Sequence, residues 1–213
     1  MTAGFADIPR AIRSGLVLVD PTLGTPQRVI VMQFNPDTVT RSLAPQTTTG
    51  QSGDRSEALR LTGPAIETWK FEADIDATDQ FDNPSPNGIH PQLALLELLI
   101  HPPTSRLRAN QTLAAIGTIE IAPVETPLTL WVWGGKRVLP VRLTELGVTE
   151  TLFDAELNPL RATVSLGLRV LNVNDLPTGH RGAELFLAHL AQKEQLAGES
   201  APSRLSSLGI TAL

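Results

Sequence analysis

Cysteine and tyrosine are absent from this 213-residue chain, and lysine occurs three times against fourteen arginines. The missing cysteine excludes a disulfide framework, a thiolate nucleophile and any cysteine-ligated zinc or iron–sulfur centre. Long apolar runs are missing too. Residues 93–100 are interrupted by Glu97 and end at His101-Pro102-Pro103, far short of the roughly 20 residues a membrane helix needs, so no membrane insertion is expected. The opening stretch, MTAGFADIPRAIRSG, has no continuous apolar segment with a small-residue cleavage site behind it, and export by the general secretory route is not expected. A concentrated basic surface is also lacking. The formal net charge is −5, and the one tight central pair of arginines, Arg106 and Arg108, falls in an expected loop, which argues against a nucleic-acid partner.

What is present is a globular composition, 41% hydrophobic and 18% charged, sufficient for one substantial core at this length. β-prone runs at 16–19 and 28–32, separated by Pro21 and Gly24-Thr25-Pro26, predict two strands joined by a turn. Residues 36–53, rich in Thr, Ser, Pro, Gln and Gly, predict a long exposed loop. Alternation returns over 58–76, where Trp69, Phe71, Ala73 and Ile75 share one face and Lys70, Glu72, Asp74 and Asp76 the other, as on a half-buried antiparallel strand. Another exposed loop is expected at 79–88. Pro91 then suits the first turn of a helix running to Leu99, with Leu95, Leu98 and Leu99 on its buried face, His101 at its C-terminus, and Pro102-Pro103 stopping it.

Five further β runs are expected at 114–121, 128–133, 137–149, 151–156 and 160–173. The last would reach roughly 45 Å at about 3.3 Å per residue, longer than one small core requires. Beyond 175–179 the spacing of Leu185, Ala188, Leu190 and Leu196 predicts a helix. The tail 199–213 carries Leu205, Leu208, Ile210 and Leu213 at spacings that suggest docking. The chain is thus read as mainly β, with a β domain over 1–176 and a C-terminal helix and docking tail over 177–213.

No chemistry stands out. The histidines His90, His101, His180 and His189 are not spaced as metal ligands. The acids Glu72, Asp74, Asp76, Asp79 and Asp82 lack the glycine and terminal glutamate of a calcium loop and read as a solvated strand face. Gly134-Gly135, followed by Lys136 and Arg137, reads as a hairpin turn and not as a phosphate loop. There is no Gly-x-Ser-x-Gly elbow. No catalytic, cofactor-binding or metal site is expected, and the chain reads as non-enzymatic.

Four elements in order carry a family resemblance: Phe34-Asn35-Pro36, closing an early strand; the acidic strand over 71–78; Trp131-Val132-Trp133-Gly134; and the hairpin over 151–164, with Phe153-Asp154, Asn158-Pro159 and Arg161-Ala162. Together they resemble the tube adaptor, or tube initiator, family of contractile injection systems. Larger members of that family add a peptidoglycan-binding LysM module, which nothing after Pro177 resembles. The turn departs from the family pattern of Asp-Gly-x-Pro, since Glu156-Leu157-Asn158-Pro159 stands here.

The resemblance implies a rolled antiparallel sheet or barrel of the phage tail-tube type, with one short helix inserted and a C-terminal helix. It implies a homo-hexameric ring that templates tube assembly between the spike hub and the inner tube, in contact with a second tube adaptor and baseplate wedge proteins. The particle would be phage tail-like, assembled in the cytoplasm and free to be released on lysis. The over-long last strand would find its hydrogen-bonding partner in another copy. Subunit-interface candidates are Phe34, Asn35, Pro36, Trp131, Trp133, Phe153, Asn158, Pro159, Arg161, Leu205, Leu208 and Ile210. Alternatives are a phage tail tube or tube-terminator protein, and a small-ligand-binding β-barrel whose pocket Trp69, Trp131 and Trp133 would line.

Overall fold

The computed structural model describes residues 12–20, 23–47, 60–79, 85–115, 117, 126–200 and 208. Seven strands form one antiparallel sheet: β1 (Gly15–Val19), β2 (Pro26–Val31), β3 (Val39–Thr47), β4 (Leu61–Asp76), β5 (Leu128–Val132), β6 (Val138–Phe153) and β7 (Pro159–Val170). Among the described residues three α-helices accompany it: α1 (His90–Glu97), α2 (Thr104–Ala115) and the C-terminal α3 (Arg181–Gly198). The class is mainly β, as expected, and the strand order β2-β1-β5-β6-β7-β4-β3 is open at both ends.

The sheet is strongly rolled. β5 and β4 stand three steps apart in the strand order, about 14 Å in a flat sheet with strands about 4.8 Å apart. Yet the rings of Trp131 and Phe71 stack with centroids 4.5 Å apart at 19°. β2 is five steps from β4, but Gln33, just past β2, donates from Nε2 to the Asp76 carbonyl at 2.8 Å and accepts the Asp76 amide at 3.0 Å. That side-chain amide stands in for a neighbouring strand at the last residue of β4. Among the described residues no ladder continues the closure, so the roll is not a closed barrel.

Alternation places the core where expected. Trp69, Phe71 and Ala73 of β4 and Ala162, Val164, Leu166 and Leu168 of β7 point inward with Leu16, Trp131 and Leu139. Gly167 is required by a crossing on the outer face. It lies between Lys70 and Glu145 in the ladder, a Cβ there would stand 2.9 Å from that of Glu145, and its bareness lets Lys70 Nζ reach Glu145 Oε2 at 2.8 Å. α1 seats itself through Ile89, whose amide donates to the Pro159 carbonyl at 2.9 Å. The preceding Gly88 has φ +56° and sits so close that a Cβ would fall 2.2 Å from the same oxygen.

Several expectations are corrected. The loop predicted over 36–53 contains β3, an edge strand whose side chains are nearly all exposed, so it lacks the alternation that marks a half-buried strand. Pro45 falls where its register on β4 shifts, as proline does at an edge. Arg106 and Arg108 lie not in a loop but on α2, which buries none of its residues and so shows no periodicity. Pro103, expected only to stop a helix, also starts this one, its carbonyl accepting from the amides of Arg106 and Leu107 at 2.9 and 3.2 Å.

α1 ends at Glu97 and buries Leu93 and Leu96 below Ile89, which leaves Leu98 exposed and His101 beyond the helix. The runs at 137–149 and 151–156 are one strand, because β7 supplies an almost continuous ladder through Glu150. The start of the run at 114–121 is the end of α2, and the rest, apart from Gly117 in a turn, lies outside the described residues. β7 is not an edge: β4 pairs one side of it and β6 the other, so the long last strand needs no partner from another copy.

Candidate assembly surface

Besides the terminal strands β2 and β3, β6 also has a free edge. Its outer side meets β5 only over Val138–Val141, and from Arg142 to Phe153 no described strand pairs it. The inward row confirms the asymmetry. Val164 and Ala162 of β7 lie beside Val148 and Glu150 of β6, yet the first two are at most 1% exposed while Val148 is 36% exposed and Glu150 lies open. The cluster that covers β4 and β7 through Leu93 and Leu96 of α1 does not reach this far across the sheet.

The tip of the β6–β7 hairpin is built by one carboxylate. Asp154 accepts the amides of Glu156 and Asn158, each at 2.8 Å, and the Asn158 side-chain amide at 2.9 Å. These bonds, that of the Asn158 side chain foremost, hold the Asp154 carboxyl below its ordinary value. Around it Leu152 and Leu157 take left-handed backbone, φ 59° and 66°, which branched side chains resist. Leu152, Phe153 and Leu157 are all exposed, Leu157 by 77%. Just behind the tip Arg161 donates from Nε to Asp76 Oδ2 at 2.7 Å and from Nη2 to the same oxygen. Asp76 is buried, contrary to the solvated face expected of it. Its carboxyl is held below the usual range first by the Thr78 hydroxyl, at 2.6 Å, and then by the Thr78 amide and Arg161. Glu72 and Asp74 are exposed as expected; the side chain of Asp79 and all of Asp82 lie outside the described residues.

The structure separates the interface candidates. Phe34, Phe153 and Leu208 are exposed, while Pro36 and Pro159 are buried. Asn35 is a local clamp, accepting the Ser14 amide at 2.7 Å and donating to the Ile12 carbonyl at 2.9 Å. Asn158 and Arg161 serve the hairpin as described. Trp131 is wholly buried, with no surface to offer a neighbour, and Trp133 is half-buried with its ring 5.7 Å from that of Trp131. Leu205 and Ile210 lie outside the described residues.

A buried polar cluster under α3 escaped the sequence reading. Glu67, 3% exposed, accepts the Trp69 indole N–H and Lys193 Nζ, each at 2.8 Å, with Arg41 Nε 3.9 Å away. Arg41 and Arg137 flank the Trp69 ring at 5.8 and 5.7 Å. Next to this group His189 of α3 is buried, and neither ring nitrogen has a partner. Burial first, then the charges of Lys193, Arg137 and Arg41 against that of Glu67, push it below its ordinary 6.5. The signal in sequence was faint, an i, i+4 pair His189 and Lys193 on a helix and a lone Glu67 among inward positions. His180 caps α3, its Nδ1 accepting the Gly182 amide at 3.1 Å.

Among the described residues no group of three or more His, Asp or Glu is placed to hold a metal, and no helix is long and apolar enough to cross a membrane. No family model matches the chain, and no curated protein does. Among solved structures it is similar to the tail of an empty GTA particle computed with helical refinement in C6 symmetry, at 10% identity and a TM-score of 0.29, over 74% of this chain and 90% of that one. A TM-score of that size does not define a shared fold.

Proposed function

We propose that this chain is a non-catalytic structural subunit of a phage-like tail, a tube adaptor whose copies join into a ring between the spike hub and the inner tube. The observation that carries the reading is the outer edge of β6 over 142–153, unpaired among the described residues and bordered by an uncovered inward row at Val148 and Glu150. An unpaired edge of that length invites pairing with another chain. The outer edge of β3, at one end of the sheet, is likewise unpaired among the described residues. Pairing β6 of one copy with β3 of the next would turn open rolls into one continuous barrel, and a head-to-tail contact of this kind closes when its rotation divides the circle.

A hexamer, the contacts with inner tube, second adaptor and baseplate wedges, and assembly in the cytoplasm follow from the resemblance of the four sequence elements. The ligand-barrel alternative loses its pocket, since Trp131 is sealed in the core and Trp69 bonds to Glu67. The test is co-purification of the tagged chain with a spike or tube protein, followed by deletion of the chain from the producing cell. Rings on electron micrographs and loss of tubes on deletion are expected; normal tubes without the chain would overturn the reading.

A further inference from the structure

We infer that the tip of the β6–β7 hairpin is a preformed apolar knob that seats in a groove at the opposite end of a second copy of this chain. The tip presents Leu152, Phe153 and Leu157 to solvent on a turn locked by Asp154, with two leucines held in left-handed backbone. Backbone strain kept in a well-bonded exposed turn calls for a reason outside the free subunit. A rigid apolar turn loses little conformational freedom on docking.

The receiving surface lies where α1 ends against β2 and β5. Leu18, Arg28, Leu98, His101, Pro103 and Thr129 line a groove there, and Leu98 and the adjacent Ile100 are 59% and 48% exposed. The two surfaces are opposite in charge. Over 146–160 the tip carries Glu150, Asp154 and Glu156 and no basic residue, whereas 98–115 carries Arg106 and Arg108 and no acid, with Arg28 beside it. Arg106 lies one turn past Pro103 and, like Arg108, is exposed. A subunit does not fill its own groove. Thr129 of the groove pairs with Val141, and from there to Phe153 β6 runs about 40 Å at about 3.3 Å per residue. Complementary patches at separate places on one molecule make a heterologous contact. It requires only a second copy, so it stands or falls apart from the tail reading.

The absence of cysteine makes the test direct. Two single-cysteine chains, Leu157→Cys and Leu98→Cys, both at exposed positions, are mixed and mildly oxidised, with exposed Ala191→Cys on α3 as the collision control. The mixed 157–98 dimer is expected to exceed either homotypic dimer and either pairing with the control. Reversing the tip, Glu150→Lys with Glu156→Lys, or the groove, Arg106→Glu with Arg108→Glu, should each cut that yield about fivefold at low salt, and combining the two reversed partners should restore it. Circular dichroism checks that each variant is folded. Equal yields with the control, homotypic dimers alone, no cross-link, or no effect of charge reversal would each overturn the proposal. So would slow thiol labelling at position 98 in the monomer, which would mean that a segment of the same chain, such as 118–125, already fills the groove.

Discussion

The two halves of the β6–β7 hairpin rest on different interactions. Near Val141 and Val170 both strands are sealed, with Leu139, Val141, Leu168 and Val170 at most 2% exposed around Trp131. Toward the tip β7 stays covered on its inward side, but β6 carries Val148, Leu152 and Phe153 into solvent, and order depends on the ladder, the Asp154 turn and the Arg161–Asp76 pair. The body is held by buried area and the ribbon by hydrogen bonds. The buried body and the exposed ribbon are therefore separate parts of one pair of strands, and substitutions in the two parts should behave differently.

The largest contrast is at Trp131. Trp131→Ala removes a wholly buried ring stacked on Phe71 and should cost about 3–5 kcal/mol in urea unfolding, with one cooperative loss of the whole sheet. A cost below about 1 kcal/mol would mean that the body is not organised around this ring. Asp154→Ala should instead act locally. Amide exchange over 151–160 should rise roughly tenfold while the global urea midpoint holds; a shifted midpoint would erase the contrast. The same tip should loosen in acid, because a carboxyl held below its ordinary 3.8 contributes order above that value and loses it as the pH falls through the folded value.

His189→Leu replaces a buried ring whose nitrogens have no partner, and should stabilise the fold by about 1 kcal/mol. The wild type should weaken below its ordinary 6.5, where the unfolded histidine takes up a proton that the folded one refuses, and keep full stability above it. The leucine variant should lose that part of the slope, as urea midpoints at pH 5.5 and 8 would show. The smallest effect is expected at Leu157, 77% exposed with φ 66°. Leu157→Gly relieves left-handed strain and should stabilise by about 0.5 kcal/mol by thermal unfolding, after the glycine's added freedom in the unfolded chain is set against it. Destabilisation would mean that the leucine packs where the structure shows it free.

What could be read in advance follows burial. Trp69, Phe71 and Ala73 alternate because one side of β4 is covered and the other wet, and Pro91 announces α1 because proline tolerates a helix start. β3 and α2 have nearly no covered side, and periodicity exists only where one side is covered, so both read as loops. Of the surface candidates, Phe153 and Trp131 could not be told apart in sequence, because both are aromatic residues on β runs between turn signals, and only the fold leaves the first exposed and seals the second. Glu67 and His189 could not be paired in sequence, since α3 and β4 meet only through the fold.

The order of residues by itself determined the mainly β class, the first hairpin, the inward row of β4, the two expected helices and the absence of any thiol chemistry, all of which depend on neighbours within a few positions along the chain. Tertiary structure alone decided that β7 is paired on both sides while β6 is open on one side from Arg142 on, that Trp131 faces Phe71 across a rolled sheet, and that a lone carboxylate and a lone histidine are buried under the last helix. Strand neighbours in a sheet are chosen by long-range pairing and curvature, and local preference carries no record of either.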